Sequence, residues 1–427
     1  MADSAVEMIE KCYALARDRY AQFGVNTDSS LAALARVPLS LHVWQGDDVS
    51  GFERPDASLA GGGILVTGSH PGKARTLDEL RGDLQKAFSL IPGEHRLNLH
   101  AMYGDFGGKL VDRDRIAPEH FQSWVDWARR EGLKLDFNAT CFSHPKAASG
   151  FTLSSKDRAI RSFWVEHVER CRAISAFVGR ELASPCIHNL WIPDGSKDIP
   201  VDRWTHRRIL REALDEIYAV EYSPTEMKDS VESKLFGIGS ESFVVGSHEF
   251  YLGYACSRDK LLCIDMGHFH PNESIADKVS ALLQFCEELV VHVSRGVRWD
   301  SDHIVILNDE VRALMEEIVR SGALERVHLA LDFFDASINR IGAWVIGARA
   351  TLQGLLGALL QPHDRLVRAE EEGNNFARLA LLEELKALPS GAVWEYYCLQ
   401  QETPTGPAWM AEIEQYEADV TGKRGQD

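Results

Sequence analysis

The chain has 427 residues, 45% of them hydrophobic, and its 46 basic against 64 acidic side chains give a net charge of -18. That length suits one large α/β domain with an extension or two to three ordinary domains, and the acidic balance, with no local basic stripe, argues against a nucleic-acid partner. No apolar run approaches the roughly 18 residues of a membrane span, and eight scattered cysteines without a Cys-x-x-Cys pair fit cytoplasmic thiols rather than disulfide staples.

From Ala5 to Phe23, the residues Val6, Ile9, Tyr13, Ala16 and Tyr20 recur at helical spacing among charged neighbours. This predicts an amphipathic surface helix, not a signal peptide. Apolar, β-branched runs follow at 39–44, 96–103, 133–140, 187–194, 230–237, 261–268, 289–296 and 327–334, each separated by room for a helix. Eight strand-helix units predict an α/β fold of the (β/α)8 TIM-barrel type.

A glycine-rich insert, 45–75, separates the first two runs and includes Gly61-Gly-Gly63. It matches neither the P-loop nor the dinucleotide pattern, so it reads as a hairpin folded over the barrel mouth. After the second run, Pro118, Phe121, Trp124, Val125 and Trp127 form a buried helical stripe that ends near Gly132. The eighth helix is expected over Ala336–Leu360, with Asp335 as its cap. Beyond Pro362 the helical period continues through Leu366, Phe376, Leu379, Leu381, Leu382 and Leu385 with no further strand. Residues 1–360 therefore read as the barrel with its N-terminal helix and insert, and 361–427 as a C-terminal helical extension. That extension either packs on a neighbouring subunit or folds back on its own barrel.

Nearly every strand carries polar residues toward its C-terminal half, the end where this fold assembles active sites. Across the last four runs these include Glu232, Asp265, His268, His292 and Asp332, and the loop after the seventh run adds Asp300 and Asp302. Seven oxygen and nitrogen donors exceed what one ion needs, and an oxygen-rich set with few imidazoles suits manganese, magnesium or cobalt. Each has a plainer explanation alone. Glu232 beside Lys234 could be an ion pair, His292 a satisfied core histidine, Asp300 and Asp302 solvated loop acids, and Asp332 a helix cap. Together they set five carboxylates against a single Lys234 on one rim, which favours a bound cation.

The runs Asn98-Leu-His100-Ala, Trp191-Ile-Pro-Asp194-Gly, Val231-Glu-Ser-Lys234-Leu-Phe-Gly, Asp265-Met-Gly-His268-Phe-His-Pro271, His292-Val-Ser-Arg295 and Leu331-Asp-Phe-Phe-Asp335 resemble the L-rhamnose isomerase family over nearly the full chain. That family is similar to D-xylose isomerase in barrel and metal arrangement. The resemblance implies two divalent ions, usually Mn2+, with Zn2+, Co2+ or Mg2+ possible in one site. It implies Glu232, Asp265, His292 and Asp332 around the substrate-positioning ion and His268, Asp300 and Asp302 around the catalytic one, with Asp265 bridging. The implied reaction interconverts L-rhamnose and L-rhamnulose, the first step of L-rhamnose catabolism, in a cytoplasmic homotetramer.

Within that reaction Lys234 is expected to donate to O1, and His100 to serve ring opening or hydroxyl contact. Asp302 counts as catalytic through its ion, and Trp44, Trp191 and Phe334 wall the sugar. With neither Lys234 nor His100 evidently placed over C2, a 1,2-hydride shift is expected. A metal-dependent hydrolase or phosphodiesterase on the same barrel fits the acidic surface poorly. A non-catalytic carbohydrate-binding barrel accounts for Trp44 and Trp191 but not for seven donors.

Overall fold

The structure is a computed structural model that describes residues 2–53, 64–298 and 300–424. Helices α1 (Ala2–Ala21) and α2 (Thr27–Leu34) lead into strand β1 (Leu39–His42). The alternation continues with α3 (Leu77–Phe88), β2 (His95–His100), α4 (Gln122–Glu131), β3 (Lys134–Asn138), α5 (Arg158–Leu182) and β4 (Cys186–Trp191). Then come α6 (Arg203–Ile217), β5 (Met227–Glu232), α7 (His248–Arg258), β6 (Leu261–Asp265), α8 (Ala276–Leu282), β7 (Leu289–Val293), α9 (Asp309–Arg320), β8 (Val327–Leu331) and α10 (Arg340–Leu359). All eight strands are parallel, and Leu41 of β1 pairs with both Leu97 of β2 and Leu331 of β8, which closes the barrel.

Side-chain alternation divides each strand between two environments. Leu289, Val291 and Val293 join the main apolar core under the helices, while Val290 belongs to a small separate cluster with Ile187 and Cys263 inside the barrel. The same parity turns Glu232, Asp265 and His292 inward. All eight expected strands form, but they stop early: β1 ends at His42 and β2 at His100, and each gives way to a short 3-10 turn. Pairing has to end where the chain leaves the sheet for the helix layer, so the chemistry-bearing residues sit on the last strand positions or just past them. The helix after β2 ends as expected, with Gly132 in the left-handed conformation at φ 70°.

Two local expectations are corrected. Helix α10 is capped by Asn339, whose side chain accepts from Gly342 N; Asp335 instead accepts from Ser337 N, in the turn before the helix. The helix starts late because Asp335 and Ala336 are engaged elsewhere, in backbone bonds with the Gln45 side chain and with the insert. The insert forms no strand among the described residues, and Gly61 to Gly63 lie outside them. Its later part crosses the β8–α10 connection, where Thr67 O accepts from Ala336 N and Ala336 O from His70 N. At Gly68, φ is 115° and a Cβ would come within 2.2 Å of the Ala336 carbonyl carbon, so only glycine fits.

After α10 come α11 (His363–Glu371), α12 (Asn375–Lys386), α13 (Ser390–Gln400) and α14 (Ala408–Asp419). Helix α13 folds back on α1, with Tyr396 stacked on Tyr13 at 3.9 Å between ring centroids. Past α14, Arg424 pairs with Asp83 of α3 at 2.7 Å, and from within α14 Glu417 reaches His70 and Asn339. Helix α12 buries none of its residues, and Phe376 and Leu379 stand exposed. No single helix among the described residues is long and apolar enough to cross a membrane.

Candidate active site

Four neighbouring strands bring Glu232, Asp265, His292 and Asp332 together at the C-terminal end of the barrel, with one donor atom of each within 4.8 Å of the others. Asp265 lies opposite His292 in the β6–β7 register, and Asp332 follows β8 with its amide bonded to Val293 O. His292 Nδ1 is 3.0 Å from Asp332 Oδ2, 3.3 Å from Glu232 Oε1 and 3.7 Å from Asp265 Oδ2. His268, in the turn after β6, places Nδ1 3.1 Å from Glu232 Oε1.

These are contact distances without well-formed hydrogen bonds. Glu232 Oε1, His268 Nδ1 and both His292 nitrogens are buried and unpartnered among the described residues. Buried polar atoms are normally satisfied, so a convergent unsatisfied set of carboxylate and imidazole donors fits a divalent cation of hard or borderline character. The oxygens that do not converge are held. Asn189 Nδ2 donates to Glu232 Oε2 at 2.6 Å, and Gly267 N and Ser294 Oγ donate to Asp265 Oδ1 at 2.6 and 2.7 Å.

The electrostatics are pooled. Burial alone would raise the Glu232 carboxyl, but His292 and His268 hold it well below the usual carboxylate range. Burial disfavours the His292 imidazolium, yet Cys263, Glu232 and Asp332 lift it well above its ordinary value; Asp265 and Glu232 likewise raise His268. Burial lowers Lys234, a loss that Asp302 and Glu232 partly offset. Burial pushes the Asp302 carboxyl up to about 7 against the pull of Lys234.

Asp300 and Asp302 lie on a short antiparallel ribbon, Arg295–Val297 with Asp300–His303, rather than in an irregular loop. Asp302 reaches the pocket that Glu232, Lys234, His268 and Asp332 line. Asp300 does not line it. Its carboxylate accepts from Asp302 N at 3.1 Å and lies 3.2 Å from His303 Nε2, so the expected donor set is drawn together except at this residue.

The remaining expected residues form the pocket wall. His100 stacks on Trp44 at 4.1 Å between centroids, Phe334 meets Trp44 edge-on at 5.4 Å, and Lys234 Nζ lies 4.6 Å above the Trp191 ring. Ile64, from the insert, lines the same pocket. Asp194, one of the strand-end acids, is not part of it; Thr152 and Ser154 hold it through four hydrogen bonds. Sequence reasoning missed Asn189 and Ser294. Strand parity was the available signal, since Asn189 shares a face with Trp191 and Ser294 follows His292 by two.

Residues 7–424 match the family described as L-rhamnose isomerase (RhaA). The chain is 56% identical over 416 residues to the L-rhamnose isomerase of Rhodopirellula baltica, covering 97% of each. It is 56% identical over 418 residues to that of Bacteroides thetaiotaomicron, covering 98% of this chain and 99% of the relative. Among solved structures, L-ribulose 3-epimerase superposes with a TM-score of 0.46 at 13% identity, covering 75% of this chain and 95% of that one, a likeness too distant to carry an argument. By the extent and identity of the sequence match, the chain belongs to the L-rhamnose isomerase family.

Proposed function

We propose that the protein interconverts L-rhamnose and L-rhamnulose by moving hydrogen between C2 and C1. The observation that carries this reading is the convergence of Glu232, Asp265, His292 and Asp332 under an aromatic-walled pocket in a chain of this family. Two divalent cations, manganese first, would supply Lewis-acid stabilisation of charge on the sugar oxygens. Glu232, Asp265, His292 and Asp332 would hold one, and His268, Asp302 and Asp300 the other.

Around them, Trp44, Trp191 and Phe334 bury the ring and the deoxy methyl group and keep water out. Lys234, held against Trp191, donates to O1. Burial depresses His100 to about 3, so it meets the sugar as a neutral imidazole and adds no charge beside the cations. Asp302 would act through the cation that it helps to hold, whose bound water would carry the O2 hydroxyl proton to O1. The C2 hydrogen then moves to C1 as hydride.

Rhamnose deuterated at C2 and converted in ordinary water tests both the activity and the route. Label retained at C1 of the ketose is expected, and extensive wash-out would overturn the hydride step. The enzyme is read as a cytoplasmic homotetramer. Its free cysteines and the exposed Phe376 and Leu379 on α12 support that reading, and light scattering of the full chain tests the assembly.

A further inference from the structure

This inference rests on the reading above, in which Asp332 helps hold a divalent cation. His42, the last residue of β1, is buried with its ring edge-on to that of His292 at 4.9 Å. Its Nδ1 lies 3.2 Å from Asp332 Oδ1, a contact distance without a well-formed hydrogen bond, and neither atom has a hydrogen-bond partner among the described residues. Its Nε2 lies 2.9 Å from Nδ2 of Asn98 on β2. From the helix layer, Trp344 Nε1 donates to His42 O at 3.0 Å and anchors the backbone.

These contacts define a direction. An amide nitrogen only donates, so Nε2 of His42 accepts, and a neutral imidazole then carries its proton on Nδ1, facing Asp332. With Asn98 reversed, its Oδ1 would require the proton on Nε2. The lone pair of Nδ1 would then face a carboxylate oxygen 3.2 Å away, acceptor against acceptor. The carboxylate therefore decides the orientation of the amide. The motif repeats one strand on, where Asn138 Nδ2 lies 2.9 Å from His100 Nε2.

We infer that Asn98 and His42 form a positioning relay for Asp332. Asn98 sets the tautomer of His42, the Nδ1–H of His42 ties down Asp332 Oδ1, and Oδ2 is left on the cation side, beside His292. The relay completes a pattern already present at Glu232, held by Asn189, and at Asp265, held by Gly267 and Ser294. In each case one carboxylate oxygen is fixed by an uncharged donor and the other is free to coordinate. His42 also stands near enough to His292 and Asp332 to serve as a ligand itself, but a ring nitrogen that carries a proton cannot coordinate.

The test is calorimetric titration of metal-stripped protein with manganese chloride. His42→Leu removes the donor and is expected to weaken binding about 10- to 100-fold, the usual cost of losing an outer-shell partner. His42→Asn places an amide nitrogen as many bonds from the backbone as Nδ1 and is expected to restore affinity close to that of the unaltered protein. Wild-type affinity in His42→Leu overturns the relay. So does equal weakness in both variants, which would make His42 a ligand or a packing element. Should His42→Leu fail to fold, as read by thermal unfolding without metal, Asn98→Leu carries the test: a loss of about tenfold is expected and none overturns it. Unaltered protein that takes up no manganese would overturn the underlying metal reading instead.

Discussion

Toward the N-terminal end of the barrel the acids meet cations directly: buried Asp136 is 2.7 Å from Arg96, buried Asp229 is 2.8 Å from Arg172, and half-buried Glu288 is 2.6 Å from Lys228. At the other end Glu232, Asp265, Asp302 and Asp332 share Lys234 and two imidazoles, and no guanidinium approaches them among the described residues. One sheet thus handles the same residue types in two ways. Charges neutralised by adjacent cations hold elements together, whereas charges pooled without full neutralisation leave work for a ligand to do.

The comparison breaks most visibly at the rim. Exhaustive chelation is expected to abolish ketose formation and manganese to restore it; full activity in metal-free protein would end the pooled-charge reading. Asp302→Asn is expected to lower kcat by more than about a hundredfold while thermal unfolding of the metal-free protein stays near that of the parent. A large loss of stability there would show that the rim is structural after all.

At the opposite end the effect should invert. Arg172→Met strands a buried Asp229 carboxylate and is expected to cost about 3 kcal/mol in urea unfolding, with turnover per folded molecule unchanged. A stable variant would mean that His188 and Lys260, 3.5 and 3.7 Å from Asp229, carry the neutralisation without the arginine.

The smallest effect separates the two ends by pH. Burial opposes ionisation of Asp229, but His188 and Arg172 hold it down at about 2. Its contribution of about 2 kcal/mol is therefore present above the unfolded value near 4 and is lost as pH falls toward 2. At the rim the shifts run the other way, because His268 and His292 are raised and must give up protons before they can bind a cation, so the gain with pH falls in a higher range. Manganese affinity is expected to climb as pH rises through and above about 6.5, read as proton release in two buffers of different ionisation enthalpy. Flat affinity over that range would show that these imidazoles are not ligands.

The barrel was legible because outward-facing leucines and valines alternate with lumen residues, and that period survives without knowledge of neighbours. The cluster at Glu232, Asp265, His292 and Asp332 was legible for the same reason, since parity and strand order together aim those side chains at one point. The ribbon that carries Asp300 and Asp302 was not, because it is too short to leave a periodic pattern. The holding contacts from Asn189, Ser294 and His42 depend on cross-strand register, which one chain read alone does not contain. The cap of α10 moved from Asp335 to Asn339 because a distant segment, the insert, claims the intervening backbone.

The clasp between the chain's end and its first hundred residues has a consequence for biosynthesis. His70 waits 347 residues for Glu417, and Asp83 waits 341 for Arg424. A ribosome that has released all eight strands still retains the partners that secure the entrance, so a nascent chain can close its sheet well before the approach to the pocket is finished. Premature termination within the final helices would leave a folded sheet whose entrance is unsecured, and quality control would meet this chain as a nearly complete protein rather than as an unfolded one.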